Sequence, residues 1–451
     1  MKIQAVLTDE ESPRPARRRA AVIRQGLLAA IILVLAWGMI YYYREALLPI
    51  RTRKMQQAGA FGGNHSDLYP RWCGAQELLW HHRNPYSVEV TEDIQRGFYG
   101  RALDRSEAPS NLDRARDPEE FAYPIYIVFL LAPFLGFSFH AVQVVFTGLL
   151  ILITPGSLWL WMRALNLRLR PSGIAIALVA IMSSHSVVDG LHLQQPTLLV
   201  AALMAGALAA LVGERFALAG VLLAIAMVKP QLAILTVAFV LIWTLGDWRS
   251  RKWVAIAFGG VMAALLIGSE VVLPGWFGLW RLAADSYVAH HKASLMMAAF
   301  QPRTAVAIAA TAILSLMGLF WHVRKEHPGS GPFNFAWLAA LSLTVIFLPN
   351  AVSSSYNEAM LIPVALWMFT SGYRVARKSL LAGTMWLLAV TFLVGQWIVA
   401  LPVALGVLIL HWRFERESTL LVIGPELLIY FFPLFLALFV LSVGPRACRR
   451  V

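Results

Sequence analysis

Charge is scarce in this chain: Asp, Glu, Lys and Arg make up 14% of its 451 residues, while 59% are hydrophobic. A soluble domain of this size carries roughly a quarter charged residues, so an ordinary water-facing surface is excluded. Cysteine is nearly absent too. Cys73 and Cys448 are the whole complement, which leaves no disulfide framework, and no Cys/His cluster stands at zinc-ligand spacing. The long polar segment after the first apolar run lacks a DxD or ExD motif, since Glu92-Asp93 and Glu119-Glu120 are adjacent pairs. No metal and no cofactor is indicated. His290 and His291 are neighbours in sequence and point apart on a helix, which makes them poor joint ligands. Also missing is a basic stripe. The net charge of +13 is parcelled among short loops, so nucleic acid is not an expected partner.

What is present is a series of apolar runs of about 17 to 25 residues, each long enough to cross a hydrocarbon core of roughly 30 Å. They fall near 26–43, 140–162, 172–188, 196–212, 214–228, 230–246, 253–273, 303–322, 333–349, 357–372, 380–395, 397–411 and 420–443, with a weaker stretch at 121–136 that spans or re-enters. The expected fold is an all-α polytopic membrane bundle of about 12–14 spans. Its parts are a basic N-terminus (1–25), a first transmembrane helix (26–43), a long outer loop (44–121), a multi-span bundle (122–443) and a basic tail (444–451). The first span follows Arg17, Arg18, Arg19 and Arg24 and runs into Tyr41, Tyr42 and Tyr43 without a small-residue cleavage site. It reads as a retained signal anchor.

Basic residues cluster at Arg163/Arg168/Arg170, Arg249/Arg251/Lys252, Arg324/Lys325, Arg374/Arg377/Lys378 and Arg413/Arg416. Pairs of spans separate these clusters, so all fit the cytoplasmic side with the N-terminus. A full crossing at 121–136 would invert every later loop, which favours a re-entrant element there. The tail residues Arg446, Arg449 and Arg450 fall on the wrong side unless 380–411 or 420–443 crosses differently.

This sidedness gathers polar residues on the outer face: the long loop, Asp189 to Pro196, Lys229-Pro230-Gln231, the loop 274–302 and the turn from Asn350 to Glu358. Polar groups at a membrane boundary need water or partners, so their concentration on one face predicts a polar cavity. In the long loop, Leu68, Trp72, Ala75 and Leu79 form one helical stripe, as a short surface helix requires. Pro70 is tolerated only in the first turn, so Asp67 sits at or just before the start of that helix, and Asn84-Pro85-Tyr86 ends it. Asp67 therefore has two readings, helix cap or chemical base. Residues 89–120 show no clear periodicity and read as a lid or excursion.

Several of these segments occur in a particular order. Ser66-Asp67-Leu68-Tyr69 precedes Leu78-Leu79 and Asn84-Pro85-Tyr86. Phe121-Ala122-Tyr123-Pro124 opens an apolar stretch closing at Ala132-Pro133-Phe134. Gln194-Gln195-Pro196-Thr197-Leu198-Leu199 and Ala219-Gly220-Val221-Leu222-Leu223-Ala224, leading to Lys229-Pro230, follow. Over residues 61 to 240 the pattern resembles glycosyltransferase family 87, a branch of the GT-C membrane glycosyltransferases that includes polyprenol-phosphate-mannose-dependent mannosyltransferases. It departs at Ser355-Tyr356-Asn357-Glu358, where members often carry a His-Tyr pair.

The resemblance implies a GT-C bundle and transfer of a hexose, mannose first, from a polyprenyl-phosphate sugar to a glycolipid or cell-envelope glycan. The setting it implies is the outer, periplasmic face of the bacterial cytoplasmic membrane, among membrane lipids. It assigns Asp67 as general base and Lys229 and Arg71 to the donor phosphate. His192, Gln194, Gln195, Gln231, Tyr356 and Asn357 become candidates for sugar or acceptor contacts, and Asp189 is the second-choice acid. Snorkelling at a helix end accounts equally well for Lys229, and a solvated turn for residues 192–195. Two other functions stay open. A transporter or flippase of a lipid-linked or small polar substrate would favour inverted repeats and broken mid-membrane helices, and no convincing repeat is found. An O-antigen-type polymerase or ligase would place its large loop later in the chain.

Overall fold

Prolines mark where many helices begin: Pro171, Pro196, Pro230, Pro302 and Pro332 are each the first residue of one. A missing N–H costs nothing at that position, and the fixed φ already suits the helix. The computed structural model describes residues 15–57, 62–104, 119–290, 302–325, 332–347, 354–377, 379–412 and 419–447. Among these there is no strand.

The chain opens with α1 (Pro15–Tyr42), which continues through a π-helical turn at Tyr43–Leu47 into α2 (Leu48–Gln57). Then come α3 (Leu68–Leu79), α4 (Val88–Tyr99) and the short α5 (Ile127–Leu131). The central helices are α6 (Phe139–Ala164), α7 (Pro171–Ser183), α8 (His185–His192), α9 (Pro196–Val212), α10 (Phe216–Ala226), α11 (Pro230–Leu245) and α12 (Trp248–Val272). After α13 (Trp276–His290) follow α14 (Pro302–Val323) and α15 (Pro332–Val345). A mixed run then links a 3-10 helix (Ser355–Leu361), α16 (Ile362–Trp367), a π-helical turn (Met368–Gly372) and α17 (Tyr373–Ala376). The last two helices are α18 (Leu380–Leu410) and α19 (Thr419–Ala447).

The protein is a multi-pass, all-α membrane protein. Among the described residues, six helical stretches are long and apolar enough to cross a bilayer: Gly26–Gln56, Phe139–Ala164, Trp248–Val272, Val306–Val323, Leu380–Leu410 and Ile423–Gly444. The pair α7 and α8, bent by 53° at Ser184, makes a seventh if counted as one span. Helices α9, α10 and α11 are apolar but shorter. Counted by length and apolarity, the spans are therefore fewer than the 12–14 runs in the sequence. One reason is plain: 380–395 and 397–411 are halves of a single helix. Gln396, the polar residue that divides them in sequence, is fully buried, donates to Leu393 O at 2.8 Å and accepts from the His185 N–H at 2.9 Å. A polar group satisfied inside the bundle does not break a helix.

Helices α18 and α19 run antiparallel, with Gly395 against Leu428 and Gly424 against Val399. His411 and Trp412 share a cleft with Glu45, Pro49 and Arg53. The segment carrying Arg413 and Arg416 lies outside the described residues. Two of the basic loops meet, those of Arg251 and Arg324. The guanidinium of Arg251 donates to Trp243 O and Arg324 O at 2.9 and 3.0 Å, and Gly213 abuts Arg163.

Residues 121–136 do not span. They form a buried loop with the five-residue α5 and a 3-10 turn at Ala132–Phe134. The region 89–120 also differs from expectation, because it opens with α4. Val90, Ile94 and Phe98, four residues apart, are buried, Ser87 Oγ caps the start by accepting from Val90 N, and Gly100 ends it in the left-handed region at φ 79°. The stripe is only three apolar residues wide amid Glu89, Glu92, Asp93 and Arg96, which hides it in the sequence. Residues 105–118 and 291–301, including His291 and Lys292, lie outside the described residues.

Candidate functional site

The turn ahead of α3 is fixed from both sides. Asn64 donates from its backbone and side-chain nitrogens to Gly97 O at 3.0 and 3.1 Å, and the Asp67 N–H donates to Leu193 O at 3.1 Å. Gly97 lies so close to Tyr69 that a Cβ there would fall 1.8 Å from the phenol oxygen. Helix α4 is thus pressed directly onto α3 and braces the turn.

Asp67 is the residue before α3, yet its carboxylate makes no cap hydrogen bond. Ser66 does that work, its Oγ accepting from Leu68 N at 3.2 Å. The carboxylate turns to Gln195 instead, whose Nε2 donates to Asp67 Oδ2. Gln195 is fully buried and its other end accepts from Lys229 Nζ at 3.2 Å. One amide thus links the acid to the ammonium.

Lys229 precedes α11 and is itself 4% exposed. Besides Gln195, its ammonium donates to Thr197 Oγ1 at 2.6 Å and Asn357 Oδ1 at 2.9 Å, and it lies 4.9 Å from the centre of the Tyr356 ring. These contacts hold the ammonium in place and exclude snorkelling as its conformation here. Burial pushes its pKa down to about 7; nearby Arg71 acts in the same direction and Asp67 opposes both. Arg71, one turn into α3, donates to the backbone carbonyl of Asp67 and lies 4.3 Å over the ring of Tyr123.

These groups face a cavity of about 420 Å³ whose lining includes Asp67, Arg71, Lys229, Gln231, Tyr356 and Asn357. Six of the ten residues singled out from the sequence therefore share one space, and Gln195 stands directly behind it. The chain from Glu119 to Tyr123, leading into the buried loop, forms one wall, and α13 forms another through Trp280 and Tyr287. Tyr126 ties the two parts together by donating to Met227 O at 2.7 Å, next to the Lys229 turn.

The other three residues stand apart. Gln194 adopts a left-handed φ of 50°, its Oε1 accepts from Ser66 Oγ at 2.7 Å and Gln143 Nε2 at 3.1 Å, and its amide donates to Leu191 O and His192 O. It is bound up in holding the turn. His192 packs edge-on against Tyr43, with ring centres 5.7 Å apart, outside the cavity lining. Asp189, 2% exposed, accepts from Tyr43 Oη and Arg51 on Oδ1 and from Ser355 Oγ on Oδ2, each at 2.7 Å. Its cation is Arg51.

The sequence profile of glycosyltransferase family 87 matches residues 121–391, more than half of the chain. The chain belongs to glycosyltransferase family 87. The matched region of this family 87 protein contains Lys229, Gln195, Tyr356 and Asn357, whereas Asp67 and Arg71 precede it and reach the same cavity through the fold. Comparison with curated proteins and with solved structures returns no match.

Reasoning from sequence missed Thr197, Arg51, Tyr123 and the aromatic wall of α13. Thr197 stood in the recognised Gln-Gln-Pro-Thr segment, where a hydroxyl one residue into an apolar helix is a usable signal. Arg51 carried none, because nothing local relates it to a carboxylate 138 positions away.

Proposed function

We propose that this family 87 glycosyltransferase is an inverting hexosyltransferase. It moves a hexose, with mannose the sugar the family favours, from a polyprenyl-phosphate sugar to a lipid-linked or cell-envelope glycan acceptor at the outer face of the bacterial cytoplasmic membrane. The observation that carries this reading is Asp67: a carboxylate not spent on capping, bridged by Gln195 to Lys229, on a cavity of about 420 Å³. That volume falls in the range of small-molecule sites, roughly 300–1,000 Å³.

The acceptor hydroxyl gives its proton to Asp67 as its oxygen forms a bond to the anomeric carbon. On the opposite face the bond from that carbon to the phosphate oxygen breaks, and polyprenyl phosphate takes the electron pair. One carboxylate suffices, because the departing phosphate is already a stabilised anion. Arg71 and Lys229 supply positive charge where that anion gathers. Gln195 orients the carboxylate and couples it to the ammonium. The polar residues of the cavity arrive from five separate segments of the chain, and the base and the cations meet at one end of the bundle.

The test is transfer from a polyprenyl-phosphate sugar by purified protein carrying Asp67→Asn. Loss of product with unchanged thermal unfolding supports the base, and full activity sinks it. Substrate uptake by sealed proteoliposomes without a covalent product would favour a transporter instead.

A further inference from the structure

On the other side of the 354–358 turn lies a second cavity, of about 540 Å³, bounded by α1, α7, the 3-10 helix with α16, α18 and α19. Leu28 and Phe369 on its rim are 47% and 45% exposed. Both stand on apolar helices of a multi-pass protein, so the opening faces hydrocarbon. The walls are apolar, built from residues such as Ile32, Ala177, Ile362 and Leu393. The polar side chains Ser183, Ser184, Thr370 and Gln396 in the lining are each bonded within the protein.

Glu358 is different. It is the one charged side chain of this lining and is 4% exposed, and neither carboxyl oxygen has a hydrogen-bond partner. Leaving a buried polar group unsatisfied costs about 1–3 kcal/mol, and more for a charged group. Such a cost persists where a ligand supplies the missing partner, and orphaned groups in native structures point to one. The neighbouring residue, Asn357, bonds Lys229 in the polar cavity, so Glu358 sits at the level of that cavity rather than deep in the bilayer.

We propose that this cavity is a binding site for a membrane amphiphile, whose aliphatic chain enters sideways between α1 and α16 and whose hydrogen-bond-donating group, a hydroxyl or an ammonium, meets Glu358. An acyl or prenyl chain satisfies the apolar walls through its buried area. The donor on its head satisfies the carboxyl. A purely apolar occupant would leave Glu358 as it is. The site is separate from the sugar-transfer cavity, and its occupancy does not depend on the assignment of Asp67.

The probe is a sixteen-carbon alcohol with a mid-chain diazirine, compared with its methyl ether, on the purified full-length protein in detergent. Photolabelling by the alcohol is expected to fall on residues 28–35, 173–181 or 393–397, about tenfold above the ether, the worth of one hydrogen bond. Ala177→Trp, which fills the space, should abolish this labelling. Glu358→Leu should equalise alcohol and ether, while Glu358→Gln, which keeps an acceptor, should retain the preference. Thermal unfolding checks that each variant is folded, and the alcohol should raise the Tm of the parent but not of Glu358→Leu. Equal labelling by alcohol and ether in the parent, or labelling indifferent to Ala177→Trp, would overturn the proposal. If the occupant is the acceptor of sugar transfer, Ala177→Trp also raises its KM. A bulk membrane lipid leaves KM unchanged and is displaced from the parent by the alcohol.

Discussion

Asp67 and Asp189 stand on two sides of the same short layer of turns, and they are held in opposite ways. Asp67 is half-buried on a cavity and accepts from the Gln195 amide, with cations of α3 and the Lys229 turn around it. Asp189 is enclosed by Arg51, Tyr43 and Ser355 at 2.7 Å each. An acid that accepts from three fixed donors has little basicity left to offer a substrate. The first arrangement suits proton transfer and the second suits joining the N-terminal helix to the turn bearing Tyr356 and Asn357. The π-helical turn at Tyr43–Leu47 contributes to the second by presenting Tyr43 at the start of the irregular turn.

Mutating the two acids separates these roles most sharply. Asp67→Asn is expected to lower kcat by about 10²–10⁴, the usual worth of a general base, with little change in thermal unfolding. Asp189→Asn should do the reverse. It is expected to destabilise the protein by about 2–3 kcal/mol, read by thermal unfolding in detergent; this is less than a fully buried ion pair because Arg51 is 30% exposed. Similar effects from the two variants would erase the distinction.

Lys229→Met should weaken binding of the polyprenyl-phosphate sugar by about 10- to 100-fold, read as Kd, since it removes a desolvated charge from the site. The same residue predicts a pH effect. With its pKa pushed down to about 7, Lys229 is charged below that pH and loses its proton above it. The phosphodiester of the donor keeps one negative charge throughout, so donor affinity should fall as pH rises from 6 to 8. A flat profile in Lys229→Met would tie the effect to this residue, whereas a parent profile rising with pH would contradict it.

Gln195→Leu removes the bridge while leaving both ends in place. Transfer should drop by about tenfold, with kcat affected more than KM, because one orienting hydrogen bond is worth roughly 1–1.5 kcal/mol. The smallest effect is expected at His192, outside the cavity: His192→Ala should change kcat/KM less than about threefold, within roughly 0.6 kcal/mol. A large loss there would mean that substrate extends toward Tyr43.

The membrane class and the family were legible in the chain, because composition, span length and ordered motifs are properties of contiguous residues. Asp67 itself was ambiguous between cap and base, since a sequence lists residue types and not the direction of a carboxylate. The fold gives the cap to Ser66 and turns the carboxylate to Gln195, which removes the cap reading. Gln396 misled for the same reason: a polar residue between apolar runs reads as a turn until a partner 211 positions away satisfies it. Helix existence and apolar faces are short-range matters, and the sequence by itself determined them. Tertiary structure alone brought Asp67, Gln195, Lys229 and Asn357 together across nearly 300 residues and left Glu358 without a donor, because hydrogen-bond partners are distributed by packing and not by order along the chain.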